Sequence, residues 1–135
     1  MNQTDKNKNN KKLGNDGENT ACLFLETKGY KIIEKNYRAN RKEIDIIAQK
    51  DGYIIFAEVK TRSSKIYGTP SESVNIKKQQ NIISAAKQFF LKSENSYSEL
   101  QPRFDVIEIY RDSKTKKDYV RHIEGAFITN EENNQ

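Results

Sequence analysis

The chain has little of what builds disulfide frameworks, thiol–imidazole metal sites or membrane spans. Its 135 residues include one cysteine, one histidine, one methionine, two prolines and no tryptophan. A lone Cys22 excludes an internal disulfide and fits a reducing compartment. It reads as a small buried apolar residue. One Cys and one His cannot make a Cys/His metal site, and His122 is expected to be structural or exposed. No stretch is long and apolar enough to cross a membrane, and the N-terminus lacks the apolar core of a signal peptide. The expectation is a cytoplasmic protein with no membrane partner.

Charge, by contrast, is plentiful. Lys and Arg total 24 against 19 Asp and Glu, a net +5 with a pI near 9.2. This balance permits a nucleic-acid partner without requiring one. The length suits one domain. Residues 1–12 are rich in Asn and Lys and predict a disordered basic tail, either a solvated leader or an arm that touches phosphates. Residues 13–129 are expected to form the domain, and 130–135 a second disordered tail.

The organising stretch is Glu43 to Lys60. Asp51-Gly52 between two apolar runs predicts a hairpin with a type I′ turn. Pairing Lys50 with Tyr53 would set Asp45 opposite Glu58 and Glu43 opposite Lys60, all on one face of the sheet. Two carboxylates facing each other across a strand pair, ~5 Å apart, repel. A divalent cation would offset that, since hard cations take carboxylate oxygens and Mg²⁺ needs only one or two of them. The alternative is a plain polar face with a Glu43–Lys60 surface ion pair.

The rest of the chain frames this hairpin. A helix capped by Asn15 or Asp16 runs to about Lys28 and stops at Gly29, burying Ala21, Cys22 and Leu25. Glu18 lies on that same face, either as a dipole partner or aimed at a metal. Residues 30–38 predict a strand, followed by a polar turn over 39–42. A loop with turn residues follows Lys60 and carries Arg62, Lys65, Gly68 and Pro70; Arg62 and Lys65 are candidates for holding phosphates. Asn75 caps a second helix to about Leu91, with Ile82, Ile83, Ala86, Phe89 and Phe90 facing the sheet. Lys77 and Gln79 on its first turn are further candidates for nucleic-acid contact. Strands over 103–111 and 119–123 close the chain. The order α-β-β-β-α-β-β predicts an α/β sandwich around a mixed five-stranded sheet.

Asp45 followed by Glu58-Val59-Lys60 resembles the catalytic core of restriction-endonuclease-like, metal-dependent nucleases. Glu43-Ile-Asp-Ile-Ile-Ala, Ala57-Glu-Val-Lys-Thr-Arg, Gly68-Thr-Pro and Arg103-Phe-Asp-Val-Ile-Glu together resemble the YraN-like family of small bacterial proteins. That family is grouped by fold with the archaeal Holliday-junction resolvases. The resemblance spans residues 13–128 and departs at Lys42, where Gly is usual, and at Ile44, where the nucleases often have Pro. It implies an endonuclease acting on DNA, with branched DNA as a candidate substrate and Mg²⁺, or Mn²⁺ as its substitute, as the cofactor. Asp45, Glu58, the Val59 carbonyl and Glu18 would bind the metal. Lys60 would orient water or stabilise the phosphorane, and Glu43 would support Lys60 or ligate a second metal. Resolvases need two active sites, so a homodimer is implied by analogy. A nucleic-acid-binding protein that keeps the fold without turnover is the alternative.

Overall fold

The computed structural model describes residues 16–62, 74–94 and 96–129. The two expected tails, the Asn15 cap and the loop positions Lys65, Gly68 and Pro70 lie outside the described residues. Helix α1 covers residues 16–27. It is followed by β1 (Lys31–Ala39), β2 (Lys42–Lys50), β3 (Tyr53–Arg62), helix α2 (Ile76–Lys92), β4 (Gln101–Arg111) and β5 (Asp118–Phe127). The strands lie in the order β1-β2-β3-β4-β5. Only β3 and β4 run parallel, because α2 carries the chain back between them; the other neighbours are antiparallel. The mixed five-stranded sheet and the element order are those expected.

Turn chemistry sets the first three strands. Asp51 and Gly52 both take positive φ, 51° and 83°, the backbone of a type I′ turn. Asn40 and Arg41 do the same at 50° and 70° without any glycine. Gly29, at φ 98°, ends α1 and lets the Tyr30 N–H donate to the Leu25 carbonyl at 2.9 Å.

Each face of the sheet buries one helix. Ala21, Cys22 and Leu25 of α1 pack on Ile46, Ala48, Ile55, Ala57, Ile107 and Ile109. On the other face, Ile82, Ala86 and Phe89 of α2 pack on Ile47, Ile54, Phe56, Phe104 and Val106. The Phe56 ring sits among Phe89, Phe90 and Phe104 at 6.0, 5.6 and 5.6 Å. Asn75 caps α2 by accepting the Lys78 N–H at 2.8 Å, as its position predicts.

Three strands are longer than the sequence pattern suggests, and β3 runs past Lys60 to Arg62, which therefore ends a strand and is not on the loop. β4 starts at Gln101, whose N–H reaches the Gly52 carbonyl at 2.8 Å. β5 runs to Phe127 instead of stopping at Ile123, because the ladder slips a register between Phe104 and Val106 and then resumes at Phe104–Phe127. Asp105 fills the slip and accepts the Gly125 N–H at 3.0 Å. His122 is structural, as one of its two readings held: its side chain is buried, with Nε2 2.8 Å from Asp105 Oδ2.

Candidate metal centre and its cationic rim

The β2–β3 ladder follows the predicted register from Lys50–Tyr53 to Ile46–Ala57 and then ends. The expected rungs Asp45–Glu58 and Glu43–Lys60 lie past that end and do not form. The reason is competition between neighbours. β2 stays paired with β1 through Ala39–Lys42, while β3 stays paired with β4 through Arg62–Tyr110. The two central strands therefore part at Asp45. Its side chain takes over from the backbone there, accepting the Val59 N–H on Oδ2 at 2.8 Å.

Three carboxylates converge at the parting. Glu18, Glu43 and Asp45 each offer an oxygen, and these oxygens lie within 4.8 Å of one another. Next to Glu18, a Cβ on Gly17 would meet the Thr61 hydroxyl, so any larger residue there requires Thr61 to shift where the first turn of α1 settles on the end of β3. Sequence reasoning gave Gly17 no role, and its signal, a glycine in a helix's first turn, was there to read. Burial raises the Glu18 pKa against a hydrogen bond from Asn36, and Glu43 and Glu58 add to the rise. Asp45 is pushed up to about 7, by burial first and by Glu58 second, against the Val59 N–H; Glu18 and Glu43 contribute the rest.

Glu58 is close enough to perturb Asp45 but is engaged elsewhere. It is buried, and its Oε1 lies 3.6 Å from Lys60 Nζ and 3.5 Å from Lys78 Nζ. Glu43 faces Arg38 at 3.9 Å rather than Lys60. Val59 meets the site through its N–H. Lys78 stands where Lys77 and Gln79 were expected to act. It sits four residues before the buried Ile82, hence on the sheet-facing side of α2. Lys77 is exposed, and Gln79 closes its own helix end by donating to the Val74 carbonyl at 3.0 Å. Arg62 donates from Nε to Glu108 Oε2 at 3.2 Å, and Glu108 is buried.

An α/β sheet of this order, with carboxylates gathered where its central strands separate, is consistent with a restriction-endonuclease-like fold. The chain belongs to the uncharacterised protein family UPF0102, the YraN-like family, whose profile matches residues 17–109. It is 47% identical over 118 residues to a UPF0102 protein of Alkaliphilus oremlandii (strain OhILAs), covering 87% of this chain and 99% of that one. A UPF0102 protein of Caldanaerobacter subterraneus subsp. tengcongensis is 46% identical over 120 residues, covering 88% and 97%. Another from Clostridioides difficile (strain 630) is 46% identical over 119 residues, covering 88% and 99%. Among the described residues, no helix is long and apolar enough to cross a membrane.

Proposed function

We propose that this protein is a cytoplasmic, metal-dependent nuclease that hydrolyses phosphodiester bonds in DNA, branched DNA among its substrates. The observation that carries this reading is the meeting of Glu18, Glu43 and Asp45 beside a lysine-bearing strand. All their donors are hard oxygens, the set that suits Mg²⁺ or Mn²⁺. Burial first, and then the crowding of negative charge, raises Asp45, and a divalent cation would relieve that crowding. Glu18, Glu43 and Asp45 would hold it, with Glu58 next to them; once bound it would polarise a phosphate and make a bound water more acidic.

The chain's own groups supply the remainder. The Val59 N–H fixes the orientation of Asp45. Glu58 holds Lys60 and Lys78 on the rim, where an ammonium group can stabilise charge developing on a phosphorane. Two cuts across a junction would call for a homodimer. One observation favours the alternative of binding without turnover: Glu58 is matched by two lysines and stands outside the three-carboxylate group.

Cleavage of labelled four-way junction, flap, duplex and single-stranded DNA, and of RNA, with Mg²⁺, Mn²⁺ or EDTA, separates the two. Metal-dependent cutting that Asp45→Ala abolishes, with binding kept or tightened, supports the nuclease. Binding of DNA with no cutting in any metal leaves the binding protein.

A further inference from the structure

A second buried carboxylate, Glu108, shares the sheet face of Glu58 and Lys60. Glu108 is 3% exposed. It is the register partner of Lys60 on the neighbouring parallel strand, so their backbones are ~4.8 Å apart. Its Oε2 accepts two donors, Arg62 Nε at 3.2 Å and the Tyr110 hydroxyl at 2.6 Å. Arg62 is the last residue of β3, two positions beyond Lys60 and on the same side. Glu58 and Glu108 thus repeat one arrangement: a buried carboxylate beneath, and a cation drawn over it toward the rim.

A buried ion pair is weak evidence for stability, because an apolar pair of similar volume packs as well. The position of this one suggests another use. The side chains of Arg62, Lys60 and Lys78 stay 30%, 34% and 43% exposed, open to a ligand while their carboxylates are covered. Glu108 engages the Nε edge of the guanidinium. Among the described residues Glu108 is the ion-pair partner of Arg62, and the fork geometry of Arg offers an Nη edge that suits a phosphate with two parallel donors. Tyr110, a second donor on the same oxygen, fixes the carboxylate and so the plane of the guanidinium. Lys60 and Arg62 stand ~6.7 Å apart along β3, so one nucleic-acid backbone can meet both.

We infer that Glu108 is a positioning residue, which with Tyr110 presents Arg62 to a backbone phosphate beside the three-carboxylate site. The inference rests on the nucleic-acid reading above.

Its test reads the sign of an effect. Glu108→Gln removes a negative charge, so electrostatics alone would tighten binding of a polyanion. Loss of the orienting carboxylate weakens it. The probe is a fluorescein-labelled duplex DNA titrated in EDTA over a salt series, so that turnover does not enter. Arg62→Ala is expected to weaken binding roughly three- to tenfold and to lower the salt slope by about 1. Glu108→Gln is expected to weaken it by a similar factor, and in the Arg62→Ala background to do nothing further. Arg62→Lys, a half-buried change that keeps the charge, is expected to behave like Arg62→Ala, and it carries the test if Glu108→Gln does not fold. Tighter or unchanged binding by folded Glu108→Gln, an equal loss in both backgrounds, or wild-type binding by Arg62→Lys overturns the inference and leaves the nuclease proposal standing. A wild-type protein that binds no DNA overturns both.

Discussion

Two aspartates in this molecule, one fully and one partly buried, sit in opposite company. Asp105, near the start of β4, is fully buried, yet its pKa is lowered. Burial works to raise it and is outweighed by four hydrogen bonds. Arg103 donates to both oxygens at 2.9 and 2.8 Å, His122 Nε2 lies at 2.8 Å and the Gly125 N–H at 3.0 Å. Arg103 is tied further to the Tyr30 hydroxyl at 2.7 Å. Asp45 has one N–H and the negative charge of Glu58, Glu18 and Glu43, and it is pushed up to about 7. A carboxylate given every partner it can use belongs to the fold; one left short beside its own kind is a candidate for function. The contrast can be broken by mutation and by pH.

The largest effect belongs to Asp105. Asp105→Ala strands Arg103 and His122, frees the Gly125 N–H and empties the register slip of β5. The expected loss is about 3–5 kcal/mol, a large share of the stability of a small domain. Urea denaturation would read it. A loss below ~1 kcal/mol would mean that the network contributes little and that the comparison fails on its structural side. The pH dependence has the ordinary carboxylate sign. A folded pKa held below 3.8 gives stability that is present above that value and fades as the pH falls beneath it.

Asp45 has the reverse sign and a smaller magnitude. Its folded pKa near 7 lies above the ordinary 3.8, so its contribution is complete below about pH 4 and is lost as the pH climbs through 7. Without metal, the wild type should therefore weaken between pH 5 and 8.5. Asp45→Asn should flatten that decline and be roughly 1–3 kcal/mol more stable than wild type at pH 8.5. Millimolar Mn²⁺ should then raise the wild-type melting temperature at pH 8 and leave Asp45→Asn unmoved, since binding to the native state stabilises it by mass action. A wild type that shows neither the decline nor the Mn²⁺ response would remove the case for a strained, cation-seeking cluster.

The two aspartates also divide what the sequence could show. Strand count, both helices, the Asp51-Gly52 turn and the buried stripes were legible because they are local: period two, period 3.6, and a dipeptide with one preferred backbone. Asp45 was legible as a candidate, since a carboxylate on a central apolar strand is out of place. Its partners were not. The hairpin rule carried the register correctly to Ile46–Ala57 and no further, because a hairpin's own sequence does not say when β1 and β4 will pull its strands apart. Glu43 therefore joined Asp45, while Glu58 turned to Lys60 and Lys78. Asp105 was hidden for a similar reason. In Arg103-Phe-Asp-Val-Ile-Glu it looks like one more polar residue of an alternating strand, and two of its partners, His122 and Gly125, come from β5. Gly17 and Lys78 were the exceptions, each marked by a spacing that could have been used.

A third buried polar group sharpens the comparison by lacking charge. The Tyr37 hydroxyl is buried and has no hydrogen-bond partner among the described residues. Its ring packs edge-on against Phe89, centroids 5.4 Å apart. Like Asp45 it is under-satisfied; unlike Asp45 its ring sits in the apolar cluster beneath α2, although its register partner Ile44 lies between Glu43 and Asp45. If under-satisfaction alone marked function, Tyr37→Phe should impair whatever the site does. If charge crowding is the mark, Tyr37→Phe should leave cleavage and DNA binding unchanged and raise stability slightly, by up to ~1 kcal/mol, because an unpaired hydroxyl leaves the core and the ring stays. The two measurements together decide the point: a more stable protein with unaltered activity assigns Tyr37 to packing, and reduced activity at equal stability would place a polar ligand or water at its hydroxyl.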